Sequence, residues 1–291
     1  MGSTEPPAAW DFATAAPNSA PGVASMVGYR GLDVPDTVHL GLPSATLTFI
    51  LSLDEGVEAA RTPEGLAKAR PNPVILGGLH VRAGHVRQRP GQAGVQIAVH
   101  PLSSRALFGV PSAELDVHDF DGADFLGREG SQVLDRLSGS RGWDEAFTLV
   151  RHHLVRRYRD LEVAAPPAAL VHAWTLLERT RGRIPIGALA RQVGVSTRHL
   201  GNLFHNECGR SPKTVARLMR FEHARARIAE SVKTTGRASL AEVAAQAGFS
   251  DQAHLSREFV GFTGLSPGAW SAGEFRNIQD GAHTPGAQWA P

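Results

Sequence analysis

The stretch 186–205, IGALARQVGVSTRHLGNLFH, decides the fold together with its echo at 240–259, LAEVAAQAGFSDQAHLSREF. Each reads as a short helix with an apolar stripe, a Gly-apolar-Ser corner, and a second helix carrying Leu and Phe. In the first copy Leu189, Ala190 and Val193 form the inner stripe. Gly194 stands where the chain must turn sharply, because glycine accepts positive φ at little cost. Val195 plugs the corner, and Ser196 suits the N-cap of the next helix. On that helix Leu200, Leu203 and Phe204 fall at i, i+3 and i+4 and face inward. Arg198, Gly201, Asn202 and His205 fall on the opposite face. In the second copy Leu240, Val243 and Ala244 face in, Gly248 turns, Phe249 plugs, and Ser250 or Asp251 caps. Leu255, Phe259 and Phe262 go to the core, while Ala253, Ser256, Arg257 and Val260 point out. Two helix-turn-helix units in tandem follow from this spacing, an arrangement suited to reading DNA.

Around these units the C-terminal ~100 residues, by their helix-turn-helix spacing, resemble the DNA-binding region of AraC/XylS-type transcription regulators. The resemblance rests on Ala247-Gly248-Phe249-Ser250-Asp251-Gln252, on Phe259 followed by Gly264-Leu265-Ser266-Pro267 and Trp270, and on Gly209-Arg210-Ser211-Pro212 after the first unit. In each unit Gly-x-Ser-Pro ends one helix and starts the next, with proline in its first turn. The resemblance implies seven helices, with a long one over about Lys213–Glu230 joining the units. It would set both recognition helices against adjacent major-groove segments, roughly 34 Å apart. The N-terminal half is similar to the sensor domains of actinobacterial regulators of this family. That likeness lies in Gly77-Gly78-Leu79-His80, Val99-His100-Pro101-Leu102 and Arg105-Ala106-Leu107-Phe108-Gly109-Val110-Pro111. It implies a β-rich domain that binds a small effector, dimerises, or both.

Charge agrees with this division. Residues 1–165 hold 15 Lys and Arg against 19 Asp and Glu, a net −4. Residues 166–275 hold 14 against 8, a net +6, so the basic surplus sits where phosphates would be met. Cys208 is the lone cysteine, which excludes an intrachain disulfide and a cysteine-based zinc cluster. Its expected role is that of a small, semi-buried residue. No run approaches the ~20 apolar residues of a membrane span. The first residues lack a basic segment followed by an apolar one, so no secretory signal is expected. A cytoplasmic protein follows as the expectation.

The expected fold class is α+β: a β-rich barrel- or sandwich-like (cupin-like) N-terminal domain with two helices, then an all-α tandem helix-turn-helix domain. Boundaries are placed at 1–24 (disordered), 25–163 (sensor or dimerisation domain), 164–168 (linker), 169–275 (DNA-binding domain) and 276–291 (flexible tail). Strands are read at 45–51, 74–76 and 95–99, where short apolar runs stand between Gly and Pro. A short helix is expected near Leu102–Leu107, then helices over about Asp121–Leu137 and Trp143–Arg159. Ala164-Ala165-Pro166-Pro167 breaks the chain. In the second helix Trp143, Phe147, Val150, Leu154 and Tyr158 form one stripe. It suits packing on its own sheet, or a dimer seam with Arg151, Arg156, Arg157 and Arg159 in water. The first reading is favoured, since an amphipathic stripe is ordinary for a surface helix.

No catalytic, cofactor or metal residue is assigned. His80 and His85 are five apart and fall on opposite faces of a regular strand, and a His-x-His pair is absent. The run Asp116, Asp119, Asp121 and Asp124 lacks the glycine and terminal glutamate of a calcium loop, and acidic residues suit a helix N-terminus. Phosphate-loop, nucleophile-elbow and His-Glu-x-x-His motifs are missing.

For DNA contact the candidates in the first unit are Thr197, Arg198, Asn202 and His205. Arg suits guanine O6/N7 and Asn suits adenine N6/N7, while His205 lies nearer phosphate. Gly201 stands where relatives often carry a longer polar side chain. In the second unit the candidates are Gln252, His254, Ser256 and Arg257, with Ala253 suited to a thymine methyl. Arg257 matches a family arginine. The expected function is a non-enzymatic, sequence-specific transcription regulator modulated by a small-molecule effector. The alternative is an N-terminal small-molecule enzyme, or a partner-docking domain, fused to a DNA-binding domain. Expected partners are promoter or operator DNA, a small-molecule effector, RNA polymerase and a second copy of the chain, with no membrane.

Overall fold

The computed structural model describes residues 9–115, 120–127, 130–160 and 163–273. The N-terminal lobe holds eight strands among those residues: β1 (Ala9–Thr14), β2 (Val23–Asp33), β3 (Thr37–Gly41), β4 (Leu47–Ser52), β5 (Ala59–Ala60), β6 (Val74–Gly77), β7 (Gly84–Gln88) and β8 (Ala93–Val99). Helix α1 (Pro63–Leu66) lies between β5 and β6, and α2 (Ser104–Phe108) follows β8. Helices α3 (Gly130–Ser138) and α4 (Trp143–Asp160) complete the lobe. The C-terminal lobe is α5 (Ala168–Arg179), α6 (Ile186–Gln192), α7 (Thr197–Cys208), α8 (Pro212–Thr235), α9 (Leu240–Ala247), α10 (Gln252–Thr263) and α11 (Pro267–Gly273). The fold is α+β.

The strands form two open antiparallel sheets, ordered β1-β2-β8-β4-β6 and β3-β7-β5. Strand alternation sorts their side chains. On β4, Leu47, Phe49 and Leu51 point to one face and are essentially fully buried, while Thr48 and Ile50 point to the other. Register carries the alternation across the sheet: Phe49 lies opposite Ile97, which lies opposite Met26. That face is covered by α2 and its neighbours, with the Phe49 and Phe108 rings edge-to-face at 5.3 Å. The opposite face, with Tyr29, Ile50 and Gln96, looks toward the smaller sheet across a cavity.

The three strands read from the sequence become β4, β6 and β8, adjacent in the large sheet. Two expectations need correction. Residues 1–24 contain β1, paired with β2 from Ala9↔Asp33 to Thr14↔Val27. Trp10 and Phe12 share one face of β1 and stack at 5.6 Å, a two-residue period hidden in an Ala- and Pro-rich context. The single helix over Asp121–Leu137 is instead a 3₁₀ turn at Ala123–Leu126 and then α3. Gly127 lies between them with φ of 74°, outside helical geometry. Asp116 and Asp119, and the tail from 276, lie outside the described residues. The acidic candidates that are described sit differently from a cation loop: Asp121 bridges to Ile75 and accepts from the Ala123 N–H at 3.0 Å.

The Trp143 stripe packs within its own lobe. A Cβ on Gly28 would come within 2.2 Å of the Trp143 ring, so the indole rests directly on the β2 backbone. Its Nε1 donates to Asp11 Oδ2 at 2.9 Å, and Arg30 lies over the ring. Val150 and Leu154 are fully buried behind it, while Tyr158 at the far end is exposed.

Candidate nucleic-acid interface

Each helix-turn-helix corner is built by short-range chemistry. After α6 the chain closes through Gly194 at φ of 73°, and the Val195 N–H reaches the Ala190 carbonyl at 3.0 Å. Ser196 then caps α7 by accepting from the His199 N–H at 3.1 Å. After α9, Gly248 turns at φ of 78° and the Phe249 N–H reaches Ala244 O at 2.9 Å. Asp251 is the cap of α10 and accepts from the His254 N–H at 2.6 Å. That N–H, then the Ser250 hydroxyl, holds the Asp251 carboxyl below the usual carboxylate range.

Each unit rests on an aromatic cluster of its own. Leu200 and Phe204 of α7 are fully buried, and Phe204 stacks on Trp174 of α5 at 6.0 Å. Phe259 and Phe262 of α10 enclose Phe221 of α8 at 5.0 and 4.9 Å, with Trp270 behind Phe259. Fully burying each such ring contributes roughly 1.5–3 kcal/mol. Helix α8 runs longer than the sequence suggests at its C-terminal end, reaching Thr235. Ser211 caps it by accepting from the Thr214 N–H at 3.1 Å, and Pro212 opens its first turn. Arg217 of α8 ties to Glu258 of α10 at 2.8 Å, so the second recognition helix is ionically pinned to the connecting helix.

With their floors buried, the recognition helices present polar faces. Thr197, Arg198, Asn202 and His205 on α7 are exposed, and so are Gln252 and Arg257 on α10. Ser256 is half-buried at the edge of that face. His254 turns back on its own corner: its ring lies edge-on to Phe249 at 5.3 Å and its Nδ1 meets the Ser250 hydroxyl at 3.0 Å. His199, which the pattern did not single out, is exposed in the first turn of α7, where recognition helices meet bases. The helical period alone would have placed it beside Thr197 and Arg198.

A family model described as a helix-turn-helix domain matches residues 189–273. The HTH-type transcriptional regulator Rv1931c of Mycobacterium tuberculosis (strain ATCC 25618 / H37Rv) is 32% identical over 111 residues. That alignment covers 38% of each chain, so this protein matches well under half of that relative's length. Among solved structures, ToxT from Vibrio cholerae O395 aligns over 90% of this chain and 97% of its own, at 13% identity and a TM-score of 0.48. An unsaturated-fatty-acid-bound wild-type ToxT from strain SCE256 aligns over 93% and 97%, at 9% identity and a TM-score of 0.45.

The helix-turn-helix domain is docked on the β-rich lobe through the C-terminal ends of both recognition helices. At the end of α7, Arg105 makes a two-pronged pair with Glu207 at 2.9 and 3.0 Å, and the Ser112 hydroxyl donates to the Glu207 carbonyl at 2.9 Å. Just beyond, Arg210 Nε donates to Leu79 O at 2.7 Å. At the end of α10, the Ala83 N–H donates to Phe262 O at 2.8 Å. On α5, Glu178 takes a hydrogen bond from Trp174 Nε1 at 2.8 Å and lies 3.4 Å from His100 Nε2. On α8, the half-buried Glu222 carboxylate accepts from the Ser44 hydroxyl at 2.6 Å, and loss of water pushes its pKa up. Cys208, at the end of α7, is buried, and that burial pushes its thiol up to about 12, leaving it a packing residue.

A second candidate site lies in the β-rich lobe, in the space between its two sheets. This cavity has an empty volume of about 670 Å³ including its mouth. Tyr29, His39, Ile50, His80, Gln92 and Gln96 are among its lining residues. The sequence implied a small-molecule site in this domain but not its lining, which comes from seven strands and the loops between them; Gln96, a polar residue inside a buried strand, gave a local sign. Among the described residues no group of three or more His, Cys, Asp or Glu is placed to hold a metal ion. Among them, too, no helix is long and apolar enough to cross a membrane.

Proposed function

We propose that this chain is a sequence-specific transcription regulator that reads promoter or operator DNA with α7 and α10. It responds to a small molecule held between the sheets of its β-rich lobe. The observation that carries the reading is the pair of capped recognition helices. Each has an aromatic face buried in the core and a polar first turn left in solvent, on a lobe whose surplus charge is positive. Arg198 and Asn202 read bases in the first half-site; Arg257 and Gln252 do so in the second, with Thr197, His205 and Ser256 on the flanking backbone. His254, with its ring against Phe249 and its Nδ1 on the Ser250 hydroxyl, stands at the flank of the α10 reading face. RNA polymerase and a second copy of the chain are its macromolecular partners on that DNA, in the cytoplasm. The lobe binds its effector and returns it unchanged, as a sensor does.

The test is a footprint of the full-length protein on fragmented genomic DNA from its source, at a fixed salt concentration. The expected result is a small set of sites upstream of genes, each about two major-groove turns long. Arg257→Ala should weaken binding to them by about 1–3 kcal/mol. Unchanged affinity in that variant would remove Arg257 from the interface. Binding without sequence preference would overturn the reading as a whole.

A further inference from the structure

The cavity between the sheets is a mostly apolar chamber with polar groups at a few fixed points, the usual make-up of a small-molecule site. Its lining includes no Lys, Arg, Asp or Glu. Burial favours the neutral form of three groups that line it: the Tyr29 phenol is pushed upward, the His39 imidazole is pushed down to about 4, and that of His80 is lowered; His85 is the fourth ionisable side chain of the lining. A carboxylate or ammonium entering this space would lose its water without meeting a Lys, Arg, Asp or Glu side chain in the lining. Two cations stand outside the lining: Arg61, which lies over the Phe120 ring and is exposed to solvent, and Arg210, which donates to Leu79 O; both act on His80 and lower its imidazole.

The polar points are specific. Gln92 is 6% exposed, yet its Oε1 is enclosed with no hydrogen-bond partner among the described residues. The Nδ1 of His39 is enclosed in the same way. A neutral imidazole offers one donor and one acceptor, and an amide oxygen accepts only. A buried acceptor left without a partner favours a guest that supplies a donor.

We propose that this cavity selects an uncharged, largely apolar small molecule carrying a hydroxyl or N–H that donates to Gln92, and that it rejects the corresponding carboxylates and amines. This deepens the regulator reading by naming the class of its effector.

The test uses the full-length protein and no DNA. Titrations with 2-naphthol and 1-octanol are compared with 2-naphthoate and octanoate, and with 2-naphthylmethylamine, at neutral pH. At least one of the two alcohols should bind saturably, at least tenfold tighter than its charged counterparts. Hydrogen-exchange protection by the bound alcohol should fall on β2, β4 and β8. Gln92→Leu should weaken the alcohol about tenfold, and Ile50→Trp should abolish its binding by filling the space. Two results would overturn the proposal: carboxylates binding as tightly as alcohols, or neither alcohol binding saturably. Protection elsewhere would also overturn it, and the hydrogen-exchange readout holds even if a variant fails to fold. Failure of the DNA footprint alongside a clear preference for alcohols would sink the regulator reading and leave the ligand class standing.

Discussion

The contact between Arg105 and Glu207 sets how firmly the first recognition helix is held by the β-rich lobe, and a double-mutant cycle measures it. The two hydrogen bonds, at 2.9 and 3.0 Å, have the two-pronged geometry in which a guanidinium matches a carboxylate. Hydrogen bonds to charged groups are worth about 1.5–3 kcal/mol when sheltered, and exposed ion pairs about 0.2–1 kcal/mol. Glu207 is 13% exposed and Arg105 34%, so the pair lies between those limits. A coupling of about 1–2 kcal/mol follows. Glu207→Gln, Arg105→Ala and the double variant should be compared by native-state hydrogen exchange, reading the opening free energy of the α7 amides. The Ser112 hydroxyl bond to the Glu207 carbonyl survives all three substitutions, which keeps the cycle clean. Additivity within about 0.3–0.5 kcal/mol would show a solvated surface contact and refute the claim that this pair clamps α7.

Three further outcomes are expected. Gly28→Val should displace the Trp143 indole from the β2 backbone and destabilise the N-terminal lobe by about 2–4 kcal/mol, read as a fall in urea midpoint; a smaller side chain at 143 should recover part of the loss. Burial holds His153 neutral, with its pKa near 4, whereas the unfolded chain takes up a proton near 6.5. Stability should therefore fall as pH drops through that window, by up to about 1.4 kcal/mol per pH unit for each such histidine. His39 and His223 are shifted the same way, so His153→Leu should flatten but not abolish the slope measured by urea unfolding against pH. Ser196→Ala should cost about 0.5–2 kcal/mol of stability by freeing the His199 N–H; an unchanged midpoint would show that the cap contributes nothing.

The parts of this fold that were legible in the sequence are those fixed by near neighbours. Gly194 and Gly248 mark their turns because no other residue adopts that backbone cheaply, and Ser196 and Ser211 mark helix starts because their hydroxyls cap them. The Trp143 stripe foretold α4 in full. Strands β3, β5 and β7 were not foreseen, since Thr37–Gly41 mixes polar and apolar residues without a clear period and Ala59–Ala60 is too short for one. The cavity and the lobe-to-lobe contacts depend on residues far apart in the chain, which periodicity cannot pair. The strings that carried the N-terminal resemblance proved to lie at the seam: Leu79 receives Arg210, His100 lies against α5, and Arg105 holds Glu207. Their similarity to sensor domains thus coincides with docking on the DNA-binding lobe and not with strand geometry.

Seven residues separate the end of α4 at Asp160 from the start of α5 at Ala168. Fully extended, such a segment reaches about 25 Å, and its Pro166-Pro167 step is stiff. Undocking one lobe therefore never dilutes it: its partner stays at an effective concentration on the order of millimolar. Contacts too weak to hold two separate molecules together suffice here, so the seam can be built from a handful of exchangeable polar bonds. A guest in the β-rich lobe need only alter that local equilibrium by a few kcal/mol to change how the two reading helices are presented.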